Sequence, residues 1–215
     1  MTILVLGASG ALGNAVVAEC LRVDNSVMTH SRSGNGTTIA GPIGSKEFLQ
    51  AIEELMHSTT IHAVFNCVGN YLHGPLGDTA VDSIYECIHT NLIGQILTIQ
   101  TLLKPMVQAG SGRIANINSL AGRFPSPNES IYTAAKAGFL AFSKSVQLEV
   151  LGTGVEIIDF LPGAFKSNMT KHRLDYERLT NASDLASFVV STTLNKSIFV
   201  NEVIVRGVNA CSSAN

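Results

Sequence analysis

Apolar runs of strand length alternate along this chain with longer segments of helical period, and this alternation limits the fold more than any other feature. The strand-length runs are TILVL (2–6), SVMTH (26–30), a weak TTIA (37–40), IHAVFNC (61–67), RIANIN (113–118), VEIIDFL (155–161) and EVIVRG (202–207). Helical patterns lie between them at 11–22, 45–57, 80–108, 130–151 and 182–195. Continuous apolar strands need cover on both faces of a sheet, and a helix between successive strands implies parallel pairing. No linker, repeat or low-complexity tract breaks the rhythm, so residues 1–215 are expected to form one doubly wound α/β domain with a mainly parallel seven-stranded sheet. Only SRSGNG separates the second run from the weak third. That is too short for a helical crossover, so the helix there is expected to be missing or reduced and the third strand short.

Hydrophobic residues make up 46% of the chain and charged residues 14%, against about a quarter charged in ordinary soluble proteins. Either the core is extensive or part of the surface is buried on another subunit. With a net charge of −2 and scattered cations, a nucleic-acid partner is excluded from the expectation. No apolar run approaches the roughly 20 residues of a membrane span, and no charged leader precedes the first strand, so the expected location is the cytoplasm, with no membrane partner. Cys20, Cys67, Cys87 and Cys211 are far apart without CxxC spacing, and read as free core cysteines and not as a metal or disulfide framework.

GASGALG (7–13) follows the first strand directly and opens the first helix. Glycines in that setting bring backbone N–H groups and a helix dipole onto a phosphate, as in the Rossmann dinucleotide fold. Gly7 would permit the tight turn, Gly10 the approach of a pyrophosphate and Gly13 the packing of helix on strand, with Ser9, Ala11 and Leu12 completing the turn. A turn built only for packing is the competing reading. At the end of the second strand, where an acid would select NAD by bonding the ribose hydroxyls, the chain carries Ser31 and Arg32. A guanidinium pairs with a 2′-phosphate through parallel hydrogen bonds. NADP(H) is therefore the expected cofactor, NAD(H) the alternative, and a solvated loop role for Arg32 the bland reading.

Tyr132 and Lys136 stand four apart in the 130–151 helix and so share one face. An ammonium beside a phenol favours phenolate and is expected to lower the tyrosine pKa toward working pH, as a general acid or base requires. Ser119 closes the fifth strand at the edge where doubly wound folds bind ligands. Its hydroxyl could hold a carbonyl oxygen while Tyr132 donates the proton.

These residues, with NCVG (66–69), HTNLIG (89–94), INSLAG ending the fifth strand, YTAAK (132–136) and PGAFKS (162–167), resemble the short-chain dehydrogenase/reductase family over nearly the full length. The thirteen-residue interval from Ser119 to Tyr132 is that of its classical branch. The resemblance implies that Tyr132 is the acid/base, Lys136 tunes it and holds the nicotinamide ribose, Ser119 orients the carbonyl, and Asn91 fixes a kinked helix and a proton-relay water. It places Asn66 and Gly69 beside the adenosine ribose, Cys67 and Val68 as apolar packing there, and Pro162, Gly163, Phe165 and Ser167 around the nicotinamide. The chain departs from the pattern in its glycine spacing, in NCVG for Asn-Asn-Ala-Gly, in lacking an acid after the third strand, and in VIVRGVN for the closing Asp-Gly-Gly.

The expected function is reduction of a ketone or aldehyde to an alcohol, or the reverse, on a small-molecule substrate. A non-catalytic NADP-binding sensor or scaffold is the alternative, and an extended-type epimerase or dehydratase a third. Candidate pocket residues are Leu120, Arg123, Phe124, Asn70, Tyr71, His73, Phe165 and Met169. Arg123, Lys171, His172 and Arg173 would receive an anionic substrate or else be solvated loop charges. The 80–108 and 130–151 helices resemble those that pair between family subunits, so a homodimer or homotetramer is expected.

Overall fold

β-Branched and aromatic residues crowd each strand-length run, and glycine, proline or asparagine bounds it, so the runs settle as strands wherever a neighbour supplies hydrogen bonds. The computed structural model describes residues 1–208; Cys211 lies outside them. Seven strands, β1 (Thr2–Leu6), β2 (Ser26–Ser31), β3 (Ile39–Ala40), β4 (Ala63–Asn66), β5 (Gly112–Ile117), β6 (Val155–Pro162) and β7 (Glu202–Val205), form one sheet in the order β3-β2-β1-β4-β5-β6-β7. Every pairing is parallel. Six helices cover it: α1 (Ala11–Arg22), α2 (Lys46–Ser58), α3 (Val81–Ile88), α4 (Gly94–Ala109), α5 (Ser130–Glu149) and α6 (Ala182–Leu194). None of the described helices is long and apolar enough to cross a membrane.

Successive side chains of a strand point to opposite faces, and the core divides accordingly. Leu4, Leu6, Ile114 and Ile157 pack with α2, α4 and α5 through Phe48, Ile52, Leu102 and Phe139. Ile3, Val5, Phe65 and Phe160 pack on the other face with α1 and α6 through Val16, Leu185 and Val189. The strand order reverses between β1 and β4. The loops leaving β1, β4, β5 and β6 therefore meet at one carboxyl edge, which is where an open α/β sheet forms a crevice.

Two sequence expectations are met with changes of detail. No helix separates β2 from β3, and the weak third strand is reduced to Ile39–Ala40. The 80–108 pattern is not one helix, because α3 and α4 are separated by a π-helical turn at His89–Ile93. A π turn adds one residue to the helical repeat, which shifts the apolar stripe without breaking it.

Across the middle of the sheet runs a polar rung. Asn66 on β4 pairs in register with Asn116 on β5, and Asn116 with Asp159 on β6. Asn66 Nδ2 donates to Gln95 Oε1, Asn116 Nδ2 to Ser143 Oγ, and the Ser143 hydroxyl to Asp159 Oδ2 at 2.7 Å, while Gln147 Nε2 donates to the same carboxylate oxygen. Asp159 is completely buried and its Oδ1 has no partner among the described residues. Burial pushes its carboxyl up to about 7, against the pull of the Ser143 and Asn116 hydrogen bonds. An unfolded aspartate titrates near 3.9. Between that pH and 7 the folded state holds a proton that the unfolded chain has lost, so stability falls as pH rises through this window and levels off above it. Urea unfolding from pH 4 to 8 should show that fall at up to roughly 1.4 kcal/mol per pH unit in the wild type relative to Asp159→Asn; parallel profiles for the two proteins would refute it.

Candidate active site

The β1–α1 turn is shaped by two glycines and left open by the third. Gly7 has φ +76°, and a Cβ on it would stand 3.0 Å from the Cys67 carbonyl carbon and oxygen. A Cβ on Gly13 would lie 2.1 Å from the Gly7 carbonyl oxygen, so helix and turn could not approach as they do. Gly10 meets neither demand: its φ is −75° and the nearest atom to an added Cβ is 3.4 Å away. It is the N-cap of α1, with no side-chain cap and no acid in the first turn, and Ser9, Gly10 and Ala11 are exposed. The unsatisfied N–H groups and positive dipole end thus face outward, as an anion site requires. Leu12 is buried in the core, which leaves only its backbone for that role.

His30, which the sequence reading treated only as a strand residue, holds this turn. Its Nδ1 accepts the Gly7 N–H at 3.3 Å and its Nε2 bonds the Gly41 carbonyl at 2.9 Å. A neutral ring with its proton on Nε2 satisfies both, and burial, opposed by the Gly41 hydrogen bond, lowers its pKa in keeping with that form. Next along β2, Ser31 is buried and its hydroxyl accepts the Gly34 N–H at 3.1 Å. Arg32 projects outward, 81% exposed in its side chain and 3.8 Å from Glu86.

At the end of β4, the Asn66 side chain belongs to the buried rung, which leaves its backbone for a contact at the crevice edge. Cys67 and Val68 are half-buried against the two faces of the core, and burial raises the Cys67 thiol to about 12, which keeps it protonated. Gly69 sits where a Cβ would come within 3.1 Å of Asn91 Oδ1 and 3.6 Å of Lys136 Nζ.

The four residues expected to act together are brought together. Asn91, fully buried in the π turn, donates from Nδ2 to the carbonyls of Asn70 (3.0 Å) and Cys87 (3.1 Å), and its Oδ1 accepts the Asn70 N–H at 3.3 Å. Lys136 is 3% exposed, its Nζ donates to the Ile117 carbonyl at 3.4 Å and stands 5.9 Å from the Tyr132 ring centre. Ser119 Oγ accepts the Ala121 N–H at 3.1 Å, and its hydroxyl is near enough to Tyr132 to pull the phenol's pKa down. The expected lowering of the tyrosine pKa is not seen in this geometry. Burial pushes Tyr132 up to about 12, with Ser119 pulling down and the charge of Glu129 adding to the rise, and burial lowers Lys136 to about 8. Desolvation penalises each charged form more than their separation allows them to help one another.

Ser119 and Tyr132 line a cavity of about 640 Å³ whose wall includes Tyr71, Leu120, Phe124, Phe165, Ser167, Met169 and His172, with Pro162 and Gly163 at its base. Tyr71 packs edge-on against Tyr132 at 5.2 Å and its hydroxyl donates to Glu129. The aperiodic stretch after β6 forms two 3-10 turns, Asn168–Thr170 and Tyr176–Arg178, tied down by a bridge from Phe165 to Thr180. Asn70, His73, Arg123 and Lys171, also expected in the pocket, do not line it. Arg123 pairs with Glu202 on β7. Glu129, Arg178 and Arg206 do line it and were not expected; Glu129 was recoverable as a carboxylate three residues before Tyr132, whereas Arg206 is remote in sequence from the other wall residues.

The glycine geometry separates two roles. Gly13→Ala should cost about 1–3 kcal/mol of unfolding free energy through overpacking, whereas Gly10→Ala should cost about 0.5 kcal/mol through its weaker N-cap preference. Urea denaturation of the two variants measures this, and equal losses would contradict the packing described.

The family profile for short chain dehydrogenases matches residues 44–178. Ketoacyl reductase HetN of Nostoc sp. is 29% identical over 95% of this chain and 78% of its own length. The human 3-oxoacyl-[acyl-carrier-protein] reductase is 27% identical over 78% of this chain and 76% of its own. Among solved structures, ElxO with NADP bound superposes with a TM-score of 0.85 at 19% identity, covering 98% of each chain. The closed form of serine dehydrogenase complexed with NADP+ gives 0.84 at 23% identity, over 95% of this chain and 94% of that one. At such identities the structures speak for the fold alone. Because the family profile spans the sheet's centre, the helix break and the Ser119–Tyr132–Lys136 cluster, the chain belongs to the short chain dehydrogenase family.

Proposed function

We propose that this oxidoreductase uses NADPH to reduce a ketone or aldehyde, or oxidises the corresponding alcohol, with Tyr132 as the acid/base. The observation that carries the reading is that Ser119 and Tyr132 line one cavity, close enough for the Ser119 hydroxyl to act on the Tyr132 phenol, with the Lys136 ammonium buried 5.9 Å from the Tyr132 ring centre. The carboxyl edge suits the cofactor: Gly10 and the first turn of α1 for its pyrophosphate, Arg32 for a 2′-phosphate, Gly69 beside the adenosine ribose, Lys136 for the nicotinamide ribose, and Pro162 and Gly163 beside the ring. The relatives bound to NADP support the same choice. When bound, the cofactor supplies the hydride.

The protein's part is orientation and proton transfer. Ser119 holds the carbonyl oxygen within reach of the phenol. A phenol pushed up to about 12 is fully protonated at neutral pH and so stands ready as donor. Lys136, at about 8, is mainly cationic there and offsets the negative charge left on Tyr132 after transfer. Asn91 keeps the Asn70 loop and the π turn together beneath them. The exposed apolar side chains Val81, Tyr85 and Ile93 near the helix break, and Leu148 on α5, favour pairing of subunits through these helices, as a homodimer or homotetramer.

Tyr132→Phe should lower the rate of NADPH-dependent reduction by about 10²–10⁴-fold while NADPH binding, followed by fluorescence, persists. Undiminished turnover across a carbonyl panel would sink the assignment. As pH rises through 8, Lys136 loses its proton and its charge, so kcat for reduction should fall on that limb; Lys136→Met should lose the limb together with most of the rate. Arg32→Asp should shift the ratio of kcat/KM for NADPH over NADH toward NADH by about 10-fold or more, the worth of a charge-assisted pair, and an unchanged ratio would remove Arg32 from the 2′-phosphate site.

A further inference from the structure

Arg206 has a position and a chemistry that hydride transfer does not require. It follows the last residue of β7, where Val205 pairs with Pro162 and accepts the Gly163 N–H at 2.8 Å. It thereby stands beside the turn at the base of the cavity. Val203 and Val205 pack into the core on the α1/α6 face, so alternation turns Glu202, Ile204 and Arg206 to the α5 face. On that face Glu202 takes both Arg123 and Lys144 as ion-pair partners. Arg206 has no carboxylate partner among the described residues. Its guanidinium carbon instead lies 5.3 Å from the centre of the Phe124 ring.

Both Arg206 and Phe124 line the same cavity as Ser119 and Tyr132. An arginine laid over an aromatic face is held in orientation while its N–H edge stays open to a planar or tetrahedral oxyanion. Several other charges of the wall act on one another, the Arg178 charge on Asp175 among them. Arg173 is held by two hydrogen bonds to Asp175, and Glu129 accepts the Tyr71 hydroxyl. Leu120, Phe165, Met169 and Leu179 add apolar surface to the wall, suited to a carbon chain between two polar ends.

We infer that the carbonyl substrate carries an anionic group, a carboxylate or a phosphate, which Arg206 receives in the same cavity that the Ser119–Tyr132 pair lines. This rests on the proposed carbonyl chemistry of that pair. It makes Arg206 a specificity residue that sets which ketones or aldehydes are taken up.

The test uses unbranched oxoalkanoates with two to six methylenes between ketone and carboxylate, their methyl esters, and phosphate monoesters of the matching hydroxyketones. Wild type, Arg206→Gln and Arg206→Lys are compared in kcat/KM with NADPH and in calorimetric binding to the NADP+-loaded protein. In the wild type the best carboxylate or phosphate should exceed its neutral counterpart by about 10-fold or more, the worth of a hydrogen bond to a charged group. Arg206→Gln should bring that ratio toward one, and Arg206→Lys should keep part of it. The carboxylate and phosphate arms identify which anion is preferred. Equal use of esters and anions, with no effect of Arg206→Gln on the ratio, overturns the inference and leaves the carbonyl reading standing. Arg206-dependent anion binding without reduction of any ketone supports the anion site and removes the carbonyl reading. Neither binding nor reduction across the whole series overturns the inference.

Discussion

One buried amide holds the working edge of this molecule together. Asn91 has no access to solvent and spends its side chain on the backbone of two other segments, the Cys87 carbonyl one turn back and both backbone groups of Asn70 after β4. An unpaired amide at such a site would cost about 1–3 kcal/mol, so the helix opens into a π turn where the side chain can reach both. Gly69 lies in the same cluster, where an added Cβ would crowd Asn91 Oδ1 at 3.1 Å and touch Lys136 Nζ at 3.6 Å. Asn91, Gly69 and Lys136 are thus packed as neighbours beneath Tyr132.

Burial also sets the protonation of the site. His30 lies on β2, Asp159 on β6 and the Tyr132–Lys136 pair on α5, and desolvation moves each toward its neutral form. The outcome differs with the partner. His30 becomes a fixed donor and acceptor that ties the glycine turn to the loop after β3. Tyr132 becomes a protonated phenol with a hydroxyl neighbour, and Lys136 keeps most of its charge at neutral pH. Asp159 joins a structural rung in which a carboxyl proton is tolerated more readily than a bare charge.

Much of this was legible in the residues. Both faces of the sheet being covered follows from the continuous apolar runs, and α1 occupies the residues that its period and glycine entry indicate, Ala11–Arg22. Strand ends were less legible, because a strand stops where its neighbours stop: β4 keeps only Ala63–Asn66, the residues that β1 and β5 can pair. The kink at Asn91 was expected from the family motif alone, because a single added residue shifts the apolar stripe but leaves its period intact. Motifs located Asn66 and Ser31 at the crevice edge, yet alternation and local hydrogen bonds turned both side chains inward.

The chain by itself determined the βαβ order, the absent helix after β2, the open glycine turn and the grouping of Ser119, Tyr132 and Lys136, since each rests on periodicity or short-range spacing. Only the tertiary structure decided the pocket's charges and the acidities. Arg123 lies four residues from Ser119 but is drawn out of the pocket by Glu202, 79 residues away in sequence, while Arg206 enters it from the last strand. The balance between an ammonium that would lower the Tyr132 pKa and the burial that raises it depends on distance and solvent exclusion, and neither exists until the strands are paired and the helices are packed.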